Sequence, residues 1–515
     1  MGILILLSLL LSCRAPSPPS GILRVNLGGE PGTLDPQHVT RNVEITIVRQ
    51  CFDGLLGFDE DLSLRPLCAA EIPSPENGGI SPDGLTYTFK LREDLRWSDG
   101  KPLVAGDFVY AMKRLLDPET AAPYAYLYRN VKEIEAPDDR TLIFTLSQPD
   151  PSFLVLLALF PAVPLRKDVV EKFGEKWAEP PHYICNGPFR LHEWKHRSRI
   201  LLKPNPFYNG PRSKPDFDIE FRMILDLNIE YAAFRRGELD MARVPPGLER
   251  EITGDPSLSP LLIRSPQPKI TAIFFNTRRK PLDDPNVRRA FSAAIDRRAF
   301  VEEVLSGVGR PALSWIPPGI PGYDPSIGRE WDFDPRRAGE LLSAAGFPEG
   351  RGFPEISLIF VDSPANRIIA EFVQRELHEH LHIEVRLEGL DEPSFGRRFR
   401  SRDYDLAFAA WSADYPDPQS LLFIFRSDSP SNLCGWSNAK FDELSSQAQR
   451  ELDPERRLAL WREAHRILIN ELPAVPVIYP EKLWIRSPKV RGLKITPFDG
   501  AVAGDLFLSA LEISS

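Results

Sequence analysis

The sequence predicts a mixed α/β protein of two lobes with an extra inserted domain. Its 515 residues exceed what one hydrophobic core usually organises, so at least two folding units are expected. Alternating segments typical of strands and longer segments with helical spacing follow one another irregularly, without a fixed-period repeat. The 51 prolines favour loops and edge strands over a long helical bundle. We therefore expect two α/β lobes that can close on each other by a hinge motion.

The elements follow from periodicity and turn residues. Residues 22–28 alternate as a strand, a turn follows at 29–32, and a helix is predicted over 43–52. Residues 97–100 form an Asp-Gly turn between a strand and a helix whose apolar stripe is Phe108, Met112 and Leu115. Further strands are predicted at 87–91, 141–146, 189–194, 199–203 and 475–479; helices at 105–116, 439–450 and 454–472; an apolar segment at 151–159; and other helix or strand segments at 231–239, 270–275, 287–295, 336–345, 356–361, 367–380 and 405–411.

The N-terminal segment carries a membrane-targeting signal. Ile3 to Leu11 is an apolar run too short to span a bilayer but suited to a signal-peptide core. It ends at Cys13 in a pattern that resembles the lipobox of bacterial lipoproteins. We therefore expect residues 1–13 to be a lipoprotein signal with Cys13 lipidated, and residues 14–21 to be a flexible tether. The alternative is a signal peptide that is cut elsewhere.

Charge and cysteine content exclude some classes of function. The net charge of −9, with both signs interleaved, argues against nucleic acid as a partner. Past Cys13 the cysteines are Cys51, Cys68, Cys185 and Cys434, which permit two disulfides in three connectivities. The short separation makes Cys51 with Cys68 the more natural pair. Because none has CxxC spacing, no metal site is predicted from the thiols.

Catalytic motifs are absent from the sequence. No nucleophile elbow, phosphate-binding glycine loop or His-Glu-x-x-His string occurs. His378 and His382 have i, i+4 spacing, but their place at a predicted helix C-terminus favours a solvated helix end over a metal site. The sequence therefore predicts a protein that is not an enzyme.

An ordered set of motifs runs along almost the whole chain after residue 21. It includes the string YTFKLREDLRWSDG at 87–100 and Trp411-Ser412-Ala413-Asp414-Tyr415 near the end. Between and around them lie Glu30-Pro31, Asn186-Gly187-Pro188-Phe189, Phe275-Asn276-Thr277 and Ala344-Ala345-Gly346-Phe347. The set resembles the family 5 solute-binding proteins, which include oligopeptide- and dipeptide-binding proteins of ABC importers. The resemblance implies two lobes that enclose the ligand.

The resemblance also implies a ligand site. Asp414 would pair with the α-amino group of a peptide, whereas Asp417 in the same loop is expected to be exposed. Strand segments Thr40-Arg41-Asn42 and Ala410-Trp411-Ser412 would hydrogen-bond the peptide main chain by β-augmentation, and Tyr124 and Trp411 would form pocket walls. Phe408 stands where well-studied oligopeptide binders carry an arginine for the ligand carboxylate. This departure leaves open whether another Arg or Lys binds the carboxylate or whether the preferred ligand is longer, amidated or not a peptide.

The resemblance gives a domain organisation and partners. Lobe I would comprise 22–52, 181–268 and 490–515, the extra domain 53–180, and lobe II 269–489. We expect a monomer without cofactor that captures short peptides for ABC permease and ATPase subunits. It would reside in the periplasm or at the outer face of the cytoplasmic membrane, attached only by its lipid anchor. The open alternatives are another solute, such as a nickel chelate, a murein peptide, glutathione or an oligosaccharide, and a peptide-sensing receptor.

Overall fold

A computed structural model describes residues 21–514, so Cys13, the predicted signal peptide and nearly all of the tether lie outside the described residues. Among the described residues, no helix is long and apolar enough to cross a membrane. In chain order the strands are β1 (Gly21–Asn26), β2 (Leu56–Phe58), β3 (Leu64–Pro66), β4 (Thr86–Lys90), β5 (Val131–Asp138), β6 (Thr141–Leu146), β7 (Phe189–Lys195), β8 (Arg199–Pro204), β9 (Phe217–Arg222), β10 (Met241–Arg243), β11 (Leu262–Pro266), β12 (Lys269–Phe275), β13 (Arg310–Pro311), β14 (Ile356–Val361), β15 (Val385–Leu390), β16 (Leu406–Ser412), β17 (Ala474–Tyr479), β18 (Glu481–Arg486), β19 (Val490–Arg491) and β20 (Glu512–Ile513).

Helices connect these strands. Most of the longer ones begin at an Asp, Ser or Asn whose side chain accepts a backbone N–H of the first turn, as Asp453 does from Arg456. In chain order they are α1 (Asn42–Cys51), α2 (Ala105–Leu116), α3 (Phe153–Leu156), α4 (Lys167–Phe173), α5 (Leu227–Arg235), α6 (Glu249–Gly254), α7 (Pro285–Ala294), α8 (Arg297–Ala299), α9 (Pro335–Ala344), α10 (Pro364–Leu381), α11 (Glu392–Ser401), α12 (Pro418–Leu422), α13 (Ala439–Ala448) and α14 (Pro454–Glu471).

The first lobe is built on a seven-stranded sheet with the order β11-β18-β10-β1-β9-β8-β7. The first strand, β1, lies near the middle and pairs in parallel with β9 and β10. Its apolar residues Leu23 and Val25 are fully buried, as the predicted alternation requires. Strand β18 falls within the range predicted for lobe II, yet it pairs with β10 and β11 in this sheet. The chain therefore crosses back between the lobes just before residue 481.

The second lobe is built on a six-stranded sheet with the order β13-β17-β12-β16-β14-β15. Strand β12 is central and almost wholly buried, and it pairs antiparallel with β16 and β17. One apolar core covers this sheet and the helices that pack on it, with Phe274, Trp315 and Trp461 among its largest buried side chains. The two sheets thus belong to two lobes, each with its own apolar core.

A third sheet, with the order β4-β6-β5, lies in the segment predicted as an extra domain. Its inward residues Phe89 and Phe144 stack edge to face at 5.8 Å. They belong to the same apolar core as Leu23 and Val25 of the seven-stranded sheet. The inserted segment therefore packs on the first lobe and shares its core.

The cysteines are not arranged as their spacing suggested. All four described cysteines carry free, buried thiols. The thiol of Cys68 donates to the carbonyl of Asp53 at 3.6 Å and accepts the Asn186 side-chain amide at 3.4 Å. Cys51 lies beside Cys185 instead. The expected pairing of Cys51 with Cys68 is therefore wrong, because α1 directs Cys51 toward the segment before β7.

Helix α14 buries a histidine that gives a pH-dependent prediction. His465 is fully buried, and its Nε2 accepts the backbone N–H of Trp315 at 2.9 Å. Burial lowers the pKa of His465 from 6.5 to about 3. The unfolded chain therefore takes up a proton on this histidine near pH 6.5, whereas the folded protein does so only near pH 3. The contribution that the neutral, buried imidazole makes to stability is complete above pH 6.5 and is lost as the pH falls toward 3, because the unfolded state then binds more protons than the folded state.

We expect the free energy of unfolding to decline by up to about 1.4 kcal/mol per pH unit through this group within that window. Urea titrations between pH 7.5 and 4 measure it. His465→Gln should reduce the slope, and His378→Gln at an exposed position should leave it unchanged. Equal slopes for wild type and His465→Gln would contradict the assignment.

Candidate functional site

One edge of strand β16 is free over most of its length. β16 pairs with β12 from Leu406 to Ser412, whereas β14 pairs on the other side only with Leu406 and Ala407. Within residues 21–514, no strand covers that second edge from Phe408 to Ser412, and Ala410 and Ser412 are exposed. These five residues span about 16 Å at 3.3 Å each. The predicted extended segment at Ala410, Trp411 and Ser412 is confirmed, and it presents backbone groups that can pair with an extended ligand.

The free edge opens into a cavity of about 1170 Å³ between the lobes. Phe408, Ala410 and Trp411 contribute to it from β16. From the first lobe, Pro246 contributes to it from the loop after β10 and Glu249 from the start of α6. A molecule in this cavity would therefore contact both lobes.

Asp414 follows the strand by two residues. Its backbone N–H donates to Ser420 Oγ at 2.7 Å, whereas its carboxylate has no hydrogen-bond or ion-pair partner among the described residues. Asp414 is exposed in this open arrangement, but the protein atoms packed around it still raise its pKa. Its side chain lines a second cavity of about 510 Å³. An unpaired carboxylate that closure of the lobes would enclose is suited to bind a cation, because a buried charge must be paired.

The loop after Asp414 is fixed by a buried ion pair. Arg457 of α14 donates to both carboxylate oxygens of Asp417, at 2.6 and 2.9 Å. Asp417 also accepts the N–H of Gln419 at 2.8 Å and is 3% exposed. The expectation that Asp417 is exposed is therefore wrong, because its partner lies 40 residues further along the chain.

Two tyrosines from the inserted segment lie near Asp414. Tyr124 packs edge to face on Phe160 at 5.4 Å, and its ring centroid is 6.5 Å from that of Tyr126. Burial, followed by the charge of Asp414, raises the pKa of both tyrosines, that of Tyr126 to about 12. The structure thus brings the predicted Tyr124 and Asp414 together, and adds Tyr126.

The segment Thr40-Arg41-Asn42 is not a strand. Asn42 is the first residue of α1, and the N–H groups of Thr40 and Arg41 donate to Glu44 Oε2 at 2.9 and 3.0 Å. A carboxylate in the first helical turn favours this arrangement, because it satisfies backbone donors and interacts well with the helix dipole. The predicted strand conformation is therefore wrong and the N–H groups of Thr40 and Arg41 are already occupied, whereas a ligand contact through the remaining backbone groups of this segment stays a prediction.

Trp411 and Phe408 form walls of the larger cavity. The indole N–H of Trp411 donates to the carbonyl of Ser420 at 3.4 Å, and its ring packs edge to face on Phe423 at 6.1 Å. Phe408 is 5% exposed and belongs to the core of the second lobe. The cations that line the cavity are Lys269 and Arg400.

One described group has the spacing of metal ligands. Side-chain atoms of Glu376, Glu379 and His380 on α10 lie within 4.8 Å of one another. Glu376 already accepts the backbone N–H of Asp296 at 3.0 Å, which gives it a structural role at the start of α8. His382 caps α10 and His378 pairs with Glu384, so the predicted helix-end interpretation of these histidines is confirmed.

Comparisons with known proteins agree with this architecture. The profile described as bacterial extracellular solute-binding proteins, family 5 Middle, matches residues 65–432. The oligopeptide-binding protein OppA of Bacillus subtilis is 31% identical over 93% of this chain and 91% of its own length. The probable deoxycholate-binding periplasmic protein YgiS of Escherichia coli is 30% identical over 96% of this chain and 95% of its own.

Among solved structures, the unliganded open form of the periplasmic murein tripeptide-binding protein MppA superposes with a TM-score of 0.85. It is 26% identical and covers 96% of this chain and 97% of its own. The arrangement of the lobes is therefore similar to that of this open form.

Three contributors to the site were not predicted from the sequence. Tyr126, Arg400 and Arg457 acquire their places only through tertiary packing. For Tyr126, its position two residues from Tyr124 was the available signal. For Arg457, nothing in the sequence connects it with Asp417.

Proposed function

This chain belongs to family 5 of the bacterial extracellular solute-binding proteins, and from that premise we propose that it captures short peptides between its lobes and delivers them to an ABC importer. The family binds solutes and is not a family of enzymes. The observation that carries the proposal is the free edge of β16, which ends two residues before the unpaired carboxylate of Asp414.

The peptide would lie along this free edge as an added strand. Its α-ammonium group binds Asp414, and its chain runs back toward Phe408, antiparallel to β16. Because the main chain supplies these hydrogen bonds, they do not depend on the ligand sequence. The edge of about 16 Å accommodates peptides of about three to five residues. Tyr124 and Tyr126 approach from the inserted segment and would cover the N-terminal residue.

Closure of the lobes would follow from binding. The open form exposes the edge to water, and only a closed form offers the ligand contacts from both lobes. A ligand that binds the closed form better shifts the equilibrium toward it. The permease subunits would then recognise the closed form. Lipidation of Cys13 would keep the protein at the membrane surface. Stable attachment would take more than one acyl chain, because a single chain gives only marginal attachment.

Native mass spectrometry of the purified protein lacking residues 1–13 tests the proposal. After denaturation, the released small molecules are sequenced. We expect peptides of narrow length and varied sequence. A single non-peptide mass, such as an amphipathic carboxylate of the kind that YgiS is named for, would contradict peptide capture and leave solute binding in place.

A further inference from the structure

The larger cavity has an apolar wall at the Phe408 end of the free edge. Four phenylalanines line it: Phe300, Phe395, Phe399 and Phe408. Ile368 joins them and is 52% exposed, although it is large and apolar. Exposed apolar surface that lines a concave site is typical of a ligand contact.

Arg400 also lines this end of the cavity, where its side chain is exposed and has no partner within residues 21–514. Its guanidinium lies over Gly396, where a Cβ would come within 3.2 Å of both terminal nitrogens. The other arginines nearby are held: Arg397 donates to Ser394, Arg398 to Glu388, and Arg402 to the carbonyl of Asn432. Among the described residues, Arg400 has no hydrogen-bond or ion-pair partner.

The remaining charged groups of the cavity do not compete with this role. Glu481 is neutralised by Arg264 and Arg310, and Glu249 accepts the N–H of Gly247 at 2.7 Å. Glu392 lies at the opposite end of α11 from Arg400. Lys269 pairs across the sheet with Ser412, at the Asp414 end of the edge. Arg400 is therefore the cation of the cavity at the far end of the edge.

The position of Arg400 along the edge follows from its helix. Its neighbour Phe399 packs edge to face on Phe274 at 5.2 Å, and Phe274 is paired with Ala407 of β16. Arg400 thus lies near the start of the free edge, whereas Asp414 lies just past its end. A peptide whose amine binds Asp414 would have its C-terminus in this region.

We propose that the larger cavity selects the C-terminal residue of the peptide, with a bulky apolar side chain among the phenylalanines and the free carboxylate on Arg400. This inference rests on the proposed function. A guanidinium pairs with a carboxylate through two parallel hydrogen bonds. Arg400 is exposed in this open arrangement, so closure of the lobes over the apolar wall would be what excludes water from the pair. Arg400 on α11 would thereby bind the ligand carboxylate, which the uncharged Phe408 cannot bind.

Titration calorimetry with matched peptides tests the inference. The peptides are Ala-Ala-Ala-Phe, its C-terminal amide and Ala-Ala-Ala-Ser. We expect the wild type to bind the free acid at least about tenfold more tightly than the amide, and the phenylalanine peptide more tightly than the serine peptide. Arg400→Gln should bring the acid-to-amide ratio close to one and preserve the preference for phenylalanine.

Arg397→Gln is the matched control, because Arg397 is an exposed arginine of the same helix that does not line the cavity. It should keep the wild-type ratio. An unchanged ratio in Arg400→Gln, or equal binding of acid and amide by the wild type, overturns the inference and leaves peptide capture intact. Failure of the wild type to bind any of the three peptides counts against the proposed function as well.

Discussion

Asp414→Asn is expected to weaken the binding of peptides with a free α-amino group by about 100-fold or more, and to leave N-acetylated peptides nearly unaffected. In the closed form the ammonium group loses its water, and the carboxylate compensates that loss. Removal of one partner of such an enclosed pair costs ~3–5 kcal/mol. Asparagine keeps the shape of the side chain, so the change removes the charge and little else. Calorimetric titration with each peptide in its free and acetylated form measures the effect.

Asp428→Asn is the control for this prediction. Asp428 also lines the cavity beside Asp414, but its carboxylate is largely exposed and pairs with Arg426 at 2.8 Å. It should change the affinity for free-amine peptides little. If Asp414→Asn weakened free and acetylated peptides equally, Asp414 would not be the amine site.

The pH dependence of binding offers a second test of the same group. The pKa of Asp414 is raised by its surroundings, so it takes up a proton at a higher pH than an ordinary aspartate. The protonated form has no charge for the ammonium group. Affinity for free-amine peptides should therefore fall with decreasing pH, starting above the usual titration range of a carboxylate, and the wild type should release protons when such a peptide binds.

Arg457→Leu is expected to lower the free energy of unfolding by ~3–5 kcal/mol. The substitution leaves Asp417 buried without its partner, and an uncompensated buried carboxylate is strongly unfavourable. Because Asp417 also caps α12, the loop that carries Asp414 should lose its fixed geometry. Urea titration followed by fluorescence measures the stability, and calorimetry measures the accompanying loss of peptide affinity.

A double variant and a surface variant complete this experiment. Arg457→Leu with Asp417→Leu should recover part of the lost stability, since no unpaired charge remains. Arg462→Leu removes a partly exposed arginine of the same helix that lies 3.8 Å from Asp324, and it should cost at most about 1 kcal/mol. Equal destabilisation by Arg457→Leu and Arg462→Leu would show that the buried ion pair contributes no more to the free energy of unfolding than the surface pair.

Periodicity was sufficient to predict the architecture. The alternation at residues 22–28 and the apolar stripe Phe108, Met112 and Leu115 lead directly to a central strand of the first lobe and to α2, whose stripe is buried in the same core. An apolar pattern reports which face of an element is buried. The two-lobed fold and the family follow from such local patterns together with the ordered motifs.

The site was only partly predictable, because a pattern does not report which edge of a strand is paired. Ala410 and Ser412 were placed on a strand correctly, but the absence of β14 beside them is a property of the sheet. The strand conformation predicted for Thr40 and Arg41 was wrong for a local reason, since Glu44, three residues after Arg41, was the available sign of a helix start. The prediction that Asp417 is exposed was wrong because its ion-pair partner, Arg457, comes from another helix.

The free edge of β16 also bears on how the protein behaves at high concentration. An unpaired strand edge is a template on which a second chain can pair, and it is thereby a route to self-association. Here the edge is only five residues long, and Ala410 and Ser412 on it are exposed in the open arrangement. A bound peptide occupies the same hydrogen-bonding groups. The filled protein should therefore remain monodisperse under conditions in which the empty, open protein begins to aggregate.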